Sequence, residues 1–154
     1  MNPLFSAPRL ITQCDAPAMA AIHQLCFPDA WPVELFSDYF DKPEWIGVFG
    51  FAVDHTAGSI AGFIIGRTTY DTNDILTFAV NPAYQGQGVG RILLETYLDA
   101  VPCACLLEVA TGNTAAIHLY NTFGFEIIAS RHDYYDSPDP DMRDAYVMTR
   151  RVAS

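Results

Sequence analysis

Hydrophobic and polar residues along the first half of the chain predict two helices followed by three strands. After a short apolar run in RLIT, apolar spacing predicts a helix from about Ala16, with Asp15 as its N-cap. A second short helix is predicted to open at Pro32, whose fixed φ suits a first helical turn. Three strand-like segments follow at 45–53, 60–69 and 75–80, divided by the turn sequences DHTAGS and YDTND. These segments predict an antiparallel meander.

The second half of the chain alternates helices with strands. Behind a glycine-rich stretch, apolar residues recur at helical spacing at Ile92, Leu93, Tyr97 and Val101. CACLLEVA is typical of a buried strand, NTAAIHLYNTFG predicts a helix that ends at Gly124, and FEIIAS and AYVMTRRV predict two last strands. Because a strand–helix–strand unit requires a right-handed crossover, one pair of strands is expected to be parallel. We predict a single α+β domain over residues 1–154, with a mixed, mostly antiparallel sheet and helices on both faces.

Composition narrows the class of protein. Of the 154 residues, 51% are hydrophobic and 17% are charged, as in a compact globular domain. A net charge of −10 argues against direct binding of nucleic acid and is compatible with a cationic partner. The apolar runs are too short for a membrane span and no signal peptide is evident, so we expect a soluble cytoplasmic protein. The four cysteines show no paired CxxC spacing, and we expect no bound metal.

The stretch most informative about chemistry is NPAYQGQGVGRILLE, in which three glycines lead into a helix. Free N–H groups at a helix N-terminus bind anions, and glycines let the backbone approach closely, so residues 85–91 are a candidate pyrophosphate cradle. A tight turn without a ligand is the alternative. A P-loop is rejected because Gly90 is followed by Arg91 and Ile92. The dinucleotide fingerprint fits poorly because Arg91 stands at its third glycine position.

Three motifs carry a resemblance to a known family: FAVNPAYQGQGVGRILLE with its Gln-x-x-Gly-x-Gly, LEVATGNTAAIHLYNTFGF and DAYVMTR. In these the chain resembles the GNAT superfamily of acetyl-CoA-dependent N-acyltransferases, and within it the bacterial ribosomal-protein-alanine N-acetyltransferases of the Rim type. The resemblance implies acetyl-CoA as cosubstrate. It implies that the cosubstrate is held by Phe78, Ala79, Val80, Gln85, Gly86, Gln87, Gly88, Val89, Gly90, Arg91 and Asn113. Two departures are Gly86, where close relatives commonly carry arginine, and a longer loop in DSPDPDMRD.

Two side chains are candidates for the proton transfers that acetyl transfer needs. Glu108 lies in an apolar strand, where an acid must either face a cavity or be paired. The resemblance implies that Glu108 is the general base and that Tyr120, in the following helix, is the acid that protonates the departing sulfur. The alternatives are a structural glutamate that faces solvent or caps a loop, and an ordinary core tyrosine. His118 is expected on a different helix face from Tyr120, without a catalytic role.

Aromatic residues outside these motifs are candidates for the acceptor site. Trp31, Tyr134 and Tyr135 are expected to line a slot for a peptide N-terminus, against the alternative of ordinary packing. The loop 131–144 carries five aspartates, usually a solvated face, and would favour a cationic peptide if it borders that slot.

Together these features predict transfer of an acetyl group from acetyl-CoA to a primary amine, with the N-terminal α-amine of a protein, such as a ribosomal protein, as first choice. An enzyme that acetylates a small amine, such as a polyamine, amino acid or aminoglycoside, is the first alternative. The second is a non-catalytic acyl-CoA-binding module, against which the presence of both Glu108 and Tyr120 argues.

Overall fold

A computed structural model describes residues 2–152. In this part of the chain the strands are β1 (Arg9–Leu10), β2 (Val48–Asp54), β3 (Ile60–Thr69), β4 (Thr72–Val80), β5 (Ala104–Ala110), β6 (Glu126–Arg131) and β7 (Ala145–Arg150). The α-helices are α1 (Ala16–Cys26), α2 (Val33–Tyr39), α3 (Val89–Asp99) and α4 (Thr114–Thr122). The predicted order of helices and strands, and the mixed α+β architecture, are confirmed.

The strands form one sheet in the order β1-β2-β3-β4-β5-β7-β6. All neighbours are antiparallel except β4 and β5, which run parallel over three register pairs, the last of which joins Asp74 to Leu106. The ladder between β3 and β4 shifts register just beyond that point, so that Leu76 is an extra residue in β4. Such a bulge bends its strand. Beyond Asp74 the sheet therefore opens into a cleft between β4 and β5.

Two apolar cores hold the opened sheet, one on each face. On one face, α3 packs the fully buried side chains of Leu93 and Tyr97 against the sheet. On the other face, Met19 of α1 and Phe36 of α2 pack with Phe63 of β3. Beyond Asp74, where the two strands no longer pair, β4 and β5 are held by apolar contacts with these cores, which keep the cleft open.

Two predicted boundaries are wrong, each for a local reason. The strand expected from residue 45 begins at Val48, because Pro43–Trp45 form a 3-10 turn. The turn expected over YDTND is shorter, because β4 already begins at Thr72. Tyr70, with a φ of +54°, makes the tight turn and leaves the polar residues after it free to pair as a strand.

The predicted helix ends are confirmed at α4 and wrong in detail at α1. The Asn113 side chain accepts a hydrogen bond from the Ala116 N–H at 3.2 Å, and Gly124, with a φ of +90°, follows the end of the helix. Asp15 stands at the N-cap position of α1 but makes no side-chain cap hydrogen bond. Its carboxylate instead accepts hydrogen bonds from the Arg9 guanidinium at 2.9 and 3.0 Å and from the Thr12 backbone N–H at 2.9 Å, so both oxygens already have other partners.

Candidate active site

The cleft between β4 and β5 contains two adjoining cavities. The larger has a volume of about 730 Å³ and the smaller about 330 Å³. Both are lined by Trp31, by Ile75 and Leu76 of β4, and by Leu107 and Glu108 of β5. The larger cavity extends to the glycine-rich stretch and α4. The smaller reaches α2 and the start of the β6–β7 loop. A ligand in one cavity can therefore meet a ligand in the other at Glu108.

The glycine-rich stretch forms a ready anion site at the N-terminus of α3. Gly88 is the N-cap with a φ of +90°, and Gly86 has a φ of +78°, conformations that side chains other than glycine rarely adopt. A Cβ atom at either position would meet nothing within 4 Å, so the space in front of the backbone is open. The Ile92 N–H donates to the Gly88 carbonyl at 3.1 Å, and the three preceding N–H groups are the helix-start donors that lack an intrahelical acceptor. This geometry suits the pyrophosphate of CoA.

Of the other predicted cradle residues, Gln85 and Arg91 line the larger cavity and Gln87 does not. The Gln85 side chain turns back and donates to the Val80 carbonyl at 3.1 Å, which fixes the end of β4 next to the glycines. Gln87 is exposed and its side chain does not line the cavity. Arg91 lines the cavity with its guanidinium 5.4 Å from the Phe123 ring centroid, and so places a positive charge beside the anion site.

Strand β4 presents one face to the larger cavity. The side chains of Phe78 and Val80 line it, whereas Ala79 points to the opposite face and is buried in the core beneath α1 and α2. Only the backbone of Ala79 is therefore available to a ligand in the cleft. Asn113, at the start of α4, lines the same cavity while it caps the helix.

Glu108 both faces a cavity and is paired, the two ways in which an acid is accommodated in an apolar strand. It follows Leu107 on β5, just beyond the last residue paired with β4, and its side chain is 33% exposed. One carboxylate oxygen accepts a hydrogen bond from Nη1 of Arg131 at 3.2 Å. The carboxylate lies on the wall that the two cavities share, where a ligand in either cavity can reach it.

Tyr120 enters the larger cavity from α4. It is only 7% exposed, and its ring lies 6.3 Å from that of Phe78 and 5.6 Å from that of Phe125. Burial raises the pKa of Tyr120, so the phenol stays protonated and is available as a hydrogen-bond donor. His118 is exposed and does not line the cavity, as its position on the helix predicts.

The three predicted acceptor residues line the two cavities that meet at Glu108. Trp31 lines both cavities, Tyr135 the larger and Tyr134 the smaller. The two tyrosine rings meet edge to face at 4.9 Å. Of the five loop aspartates, Asp136 lines the larger cavity, while others engage elsewhere in the loop. The loop therefore borders the cleft with aromatic, polar and acidic residues together.

Sequence reasoning missed the contribution of α1. His23 is 3% exposed, stacks on Trp31 at 5.0 Å between ring centroids, and accepts the Trp31 backbone N–H at 3.1 Å through Nδ1. Burial lowers the pKa of His23 to about 4. Cys26 donates to the Val80 carbonyl at 3.3 Å, and burial raises the pKa of its thiol. The packing of α1 against the end of β4 is a tertiary contact, so no local sequence pattern identified this wall.

Comparison with known proteins places this fold and site in a family. Residues 16–125 match the acetyltransferase (GNAT) family. The chain is 34% identical over 149 residues to the N-alpha-acetyltransferase RimI of Mycobacterium tuberculosis, covering 91% of this chain and 89% of that protein. The chain therefore belongs to the GNAT family of acetyltransferases and is an acetyl-CoA-dependent N-acetyltransferase.

Solved structures support the same assignment of the fold. The ribosomal-protein-S18-alanine N-acetyltransferase of Escherichia coli superposes with a TM-score of 0.82 at 29% identity, covering 96% of this chain and 95% of that one. Arabidopsis thaliana Naa50, in complex with the bisubstrate analogue CoA-Ac-MVNAL, superposes with a TM-score of 0.76 at 25% identity, covering 94% of this chain and 99% of that one.

None of the helices in the described residues has the length and hydrophobicity that a membrane span requires.

Proposed function

We propose that this acetyltransferase acts on the N-terminal α-amine of a protein, with a ribosomal protein as the first candidate. The observation that carries the proposal is the position of Glu108 on the wall shared by the two cavities. A donor held at the glycine-rich stretch and an amine entering past Trp31, Tyr39 and Tyr134 would meet at this carboxylate. The names of the similar proteins from M. tuberculosis and E. coli, which describe acetylation of N-terminal amines, support this choice of acceptor.

The larger cavity is suited to acetyl-CoA, which supplies an activated acetyl thioester when bound. The N–H groups of Val89, Gly90 and Arg91 are oriented to bind the pyrophosphate. The backbone of β4 from Phe78 to Val80 would lie beside the pantetheine arm of the cosubstrate. Because β5 no longer pairs with β4 there, the β4 edge that faces the cleft can donate hydrogen bonds to the acetyl carbonyl.

Two side chains of the chain handle the protons in this proposal. Glu108 accepts a proton from the acceptor ammonium, directly or through a water molecule, so that the amine becomes a nucleophile. Tyr120 gives its phenolic proton to the sulfur that leaves with CoA, and the buried surroundings keep that proton in place until it is needed. The two groups enter the same cavity from β5 and α4, so each can act on its own end of the reacting centre.

An α-amine is a better substrate for this site than a lysine side chain. The pKa of an α-amine is about 8 and that of lysine about 10.4, so an α-amine is easier to deprotonate by roughly 3 kcal/mol at neutral pH. Aromatic walls at Trp31, Tyr134 and Tyr135 suit an extended chain end, which offers apolar edges and few charges.

Release of CoA tests this proposal against its alternatives. A short peptide with a free N-terminus is compared with the same peptide carrying an acetylated N-terminus and with a panel of polyamines, amino acids and aminoglycosides. We expect turnover only with the free peptide. Faster turnover of a small amine would favour the small-amine enzyme, and tight acetyl-CoA binding without turnover of any amine would favour the non-catalytic module.

A further inference from the structure

Arg131 makes a contact with Glu108 that spans three strands. Arg131 is the last residue of β6, and both β6 and β5 flank β7, so its side chain reaches across β7 to the carboxylate. Nη1 lies 3.2 Å from Oε1 of Glu108, and the guanidinium carbon lies 4.4 Å from the ring centroid of Tyr134. The arginine thus holds both the carboxylate and one aromatic wall of the smaller cavity.

We propose that Arg131 is a positioning residue for Glu108: it holds one carboxylate oxygen and so orients the carboxylate toward the acceptor amine. The proposal rests on the proposed role of Glu108 as general base. Exposed ion pairs are usually held loosely, because two long side chains lose entropy in pairing. Here the guanidinium is confined by the Tyr134 ring, and a cation over an aromatic face is attracted to it.

Arg131 is the cationic partner of Glu108. The other titratable groups that line the smaller cavity are Tyr39, Asp74 and Tyr134. Burial raises the pKa of Tyr134 and of the neighbouring Tyr135, with the charge of Glu108 adding to the rise, so both stay neutral. Among the described residues, Arg131 is the cation in contact with Glu108.

Steady-state kinetics of Arg131→Gln test the proposal. We expect kcat near neutral pH to fall about fivefold to tenfold while the Kd for acetyl-CoA stays unchanged, because the arginine acts only on the base. Arg131→Lys retains the charge but lacks the planar fork of the guanidinium, so it should restore only part of the rate.

A matched control and a double variant separate positioning from other effects. Arg151→Gln removes one exposed positive charge away from the cleft and should leave the rate unchanged. In a Glu108→Gln background, Arg131→Gln should cause no further loss, since it acts through Glu108. Circular dichroism and the melting temperature establish that each variant is folded.

Three results would overturn the proposal: a wild-type rate in Arg131→Gln, losses that add in the double variant, or an increase in rate. If Glu108→Gln is impaired while Arg131→Gln is not, the positioning role alone is wrong. If Glu108→Gln itself turns over normally, the assignment of the base is wrong, and the positioning role falls with it.

Discussion

The hydroxyl of Tyr97 donates a hydrogen bond of 2.7 Å to Oδ1 of Asn73, one residue before the point at which β4 and β5 separate. Both residues are 0% exposed. Asn73 in turn donates to the Thr68 hydroxyl at 3.0 Å, so the bond ties α3 to β3 and β4 together. Since α3 also carries the anion site at its N-terminus, this buried pair fixes the distance between that site and the opening of the sheet.

Replacement of Tyr120 and of Tyr97 by phenylalanine should give opposite results. Tyr120→Phe removes the proposed acid and should lower kcat by about 10²-fold or more, with little change in melting temperature. Tyr97→Phe leaves the buried Asn73 oxygen without its donor, which costs about 1–3 kcal/mol of stability, and should leave kcat of the folded enzyme nearly unchanged. Stopped-assay kinetics and thermal melts of both variants check this. Equal losses of kcat would contradict the assignment of Tyr120.

Gly88→Val should abolish the stabilisation of the protein by acetyl-CoA. The φ of +90° disfavours any side chain there, and the valine would fill the open space in front of the α3 donors. A ligand at 100 times its Kd stabilises the wild type by about 2.7 kcal/mol, seen as a rise in melting temperature that NAD should not produce.

The control for that variant is Gly58→Val, in the turn between β2 and β3. Gly58 has a φ of +100° and open space around its Cβ position, so the backbone strain is comparable. We expect Gly58→Val to retain the acetyl-CoA shift. An acetyl-CoA shift retained in Gly88→Val, or an equal shift with NAD, is the result that excludes the cradle.

Glu108→Gln should lower kcat by about 10²- to 10⁴-fold at neutral pH with an unchanged Kd for acetyl-CoA, because the carboxylate acts on the amine. The loss should shrink above the pKa of the acceptor, where free amine is abundant without a base. Turnover measured from pH 6 to 10 checks both the size and the trend. A loss that is constant across this range would point to a role in binding or orientation instead.

His23 should make the stability of the fold depend on pH in a defined window. Burial lowers its pKa from 6.5 to about 4, so the unfolded state binds the proton first as the pH falls. The stabilisation is complete above about pH 6.5 and is lost between there and about pH 4, by up to about 3 kcal/mol. His23→Asn keeps an acceptor near the Trp31 N–H but cannot titrate in this range. Calorimetry should show a melting temperature that falls more steeply with decreasing pH for the wild type than for the variant. Equal slopes for the two proteins would refute this effect.

Much of this fold could be predicted because the determining signals are local. Apolar periodicity in α3, the continuous apolar run of β5 and the cap at Asn113 each report on a single element. The glycines at 86 and 88 likewise indicate positive φ without any tertiary information. In each case the residues that decide the structure lie within one turn or strand of each other.

The rest could not be predicted because it depends on distant partners. The polar run Thr72-Asn73-Asp74 predicts a turn from sequence alone. It forms a strand because the buried Asn73 side chain accepts a hydrogen bond from Tyr97 in α3. The contact of Arg131 with Glu108 crosses a strand that comes later in the chain than both. No spacing along the sequence encodes such a contact.

The central claim is that the acceptor is an N-terminal α-amine, and one peptide tests it most directly. The peptide has a free N-terminal alanine, a basic second residue and an internal lysine, and is incubated with the enzyme and acetyl-CoA. Fragmentation by mass spectrometry then locates the acetyl group, with a polyamine present at equal concentration as competitor. We predict acetylation of the α-amine. Acetyl groups found mainly on the lysine, or a polyamine consumed faster than the peptide, would contradict the account.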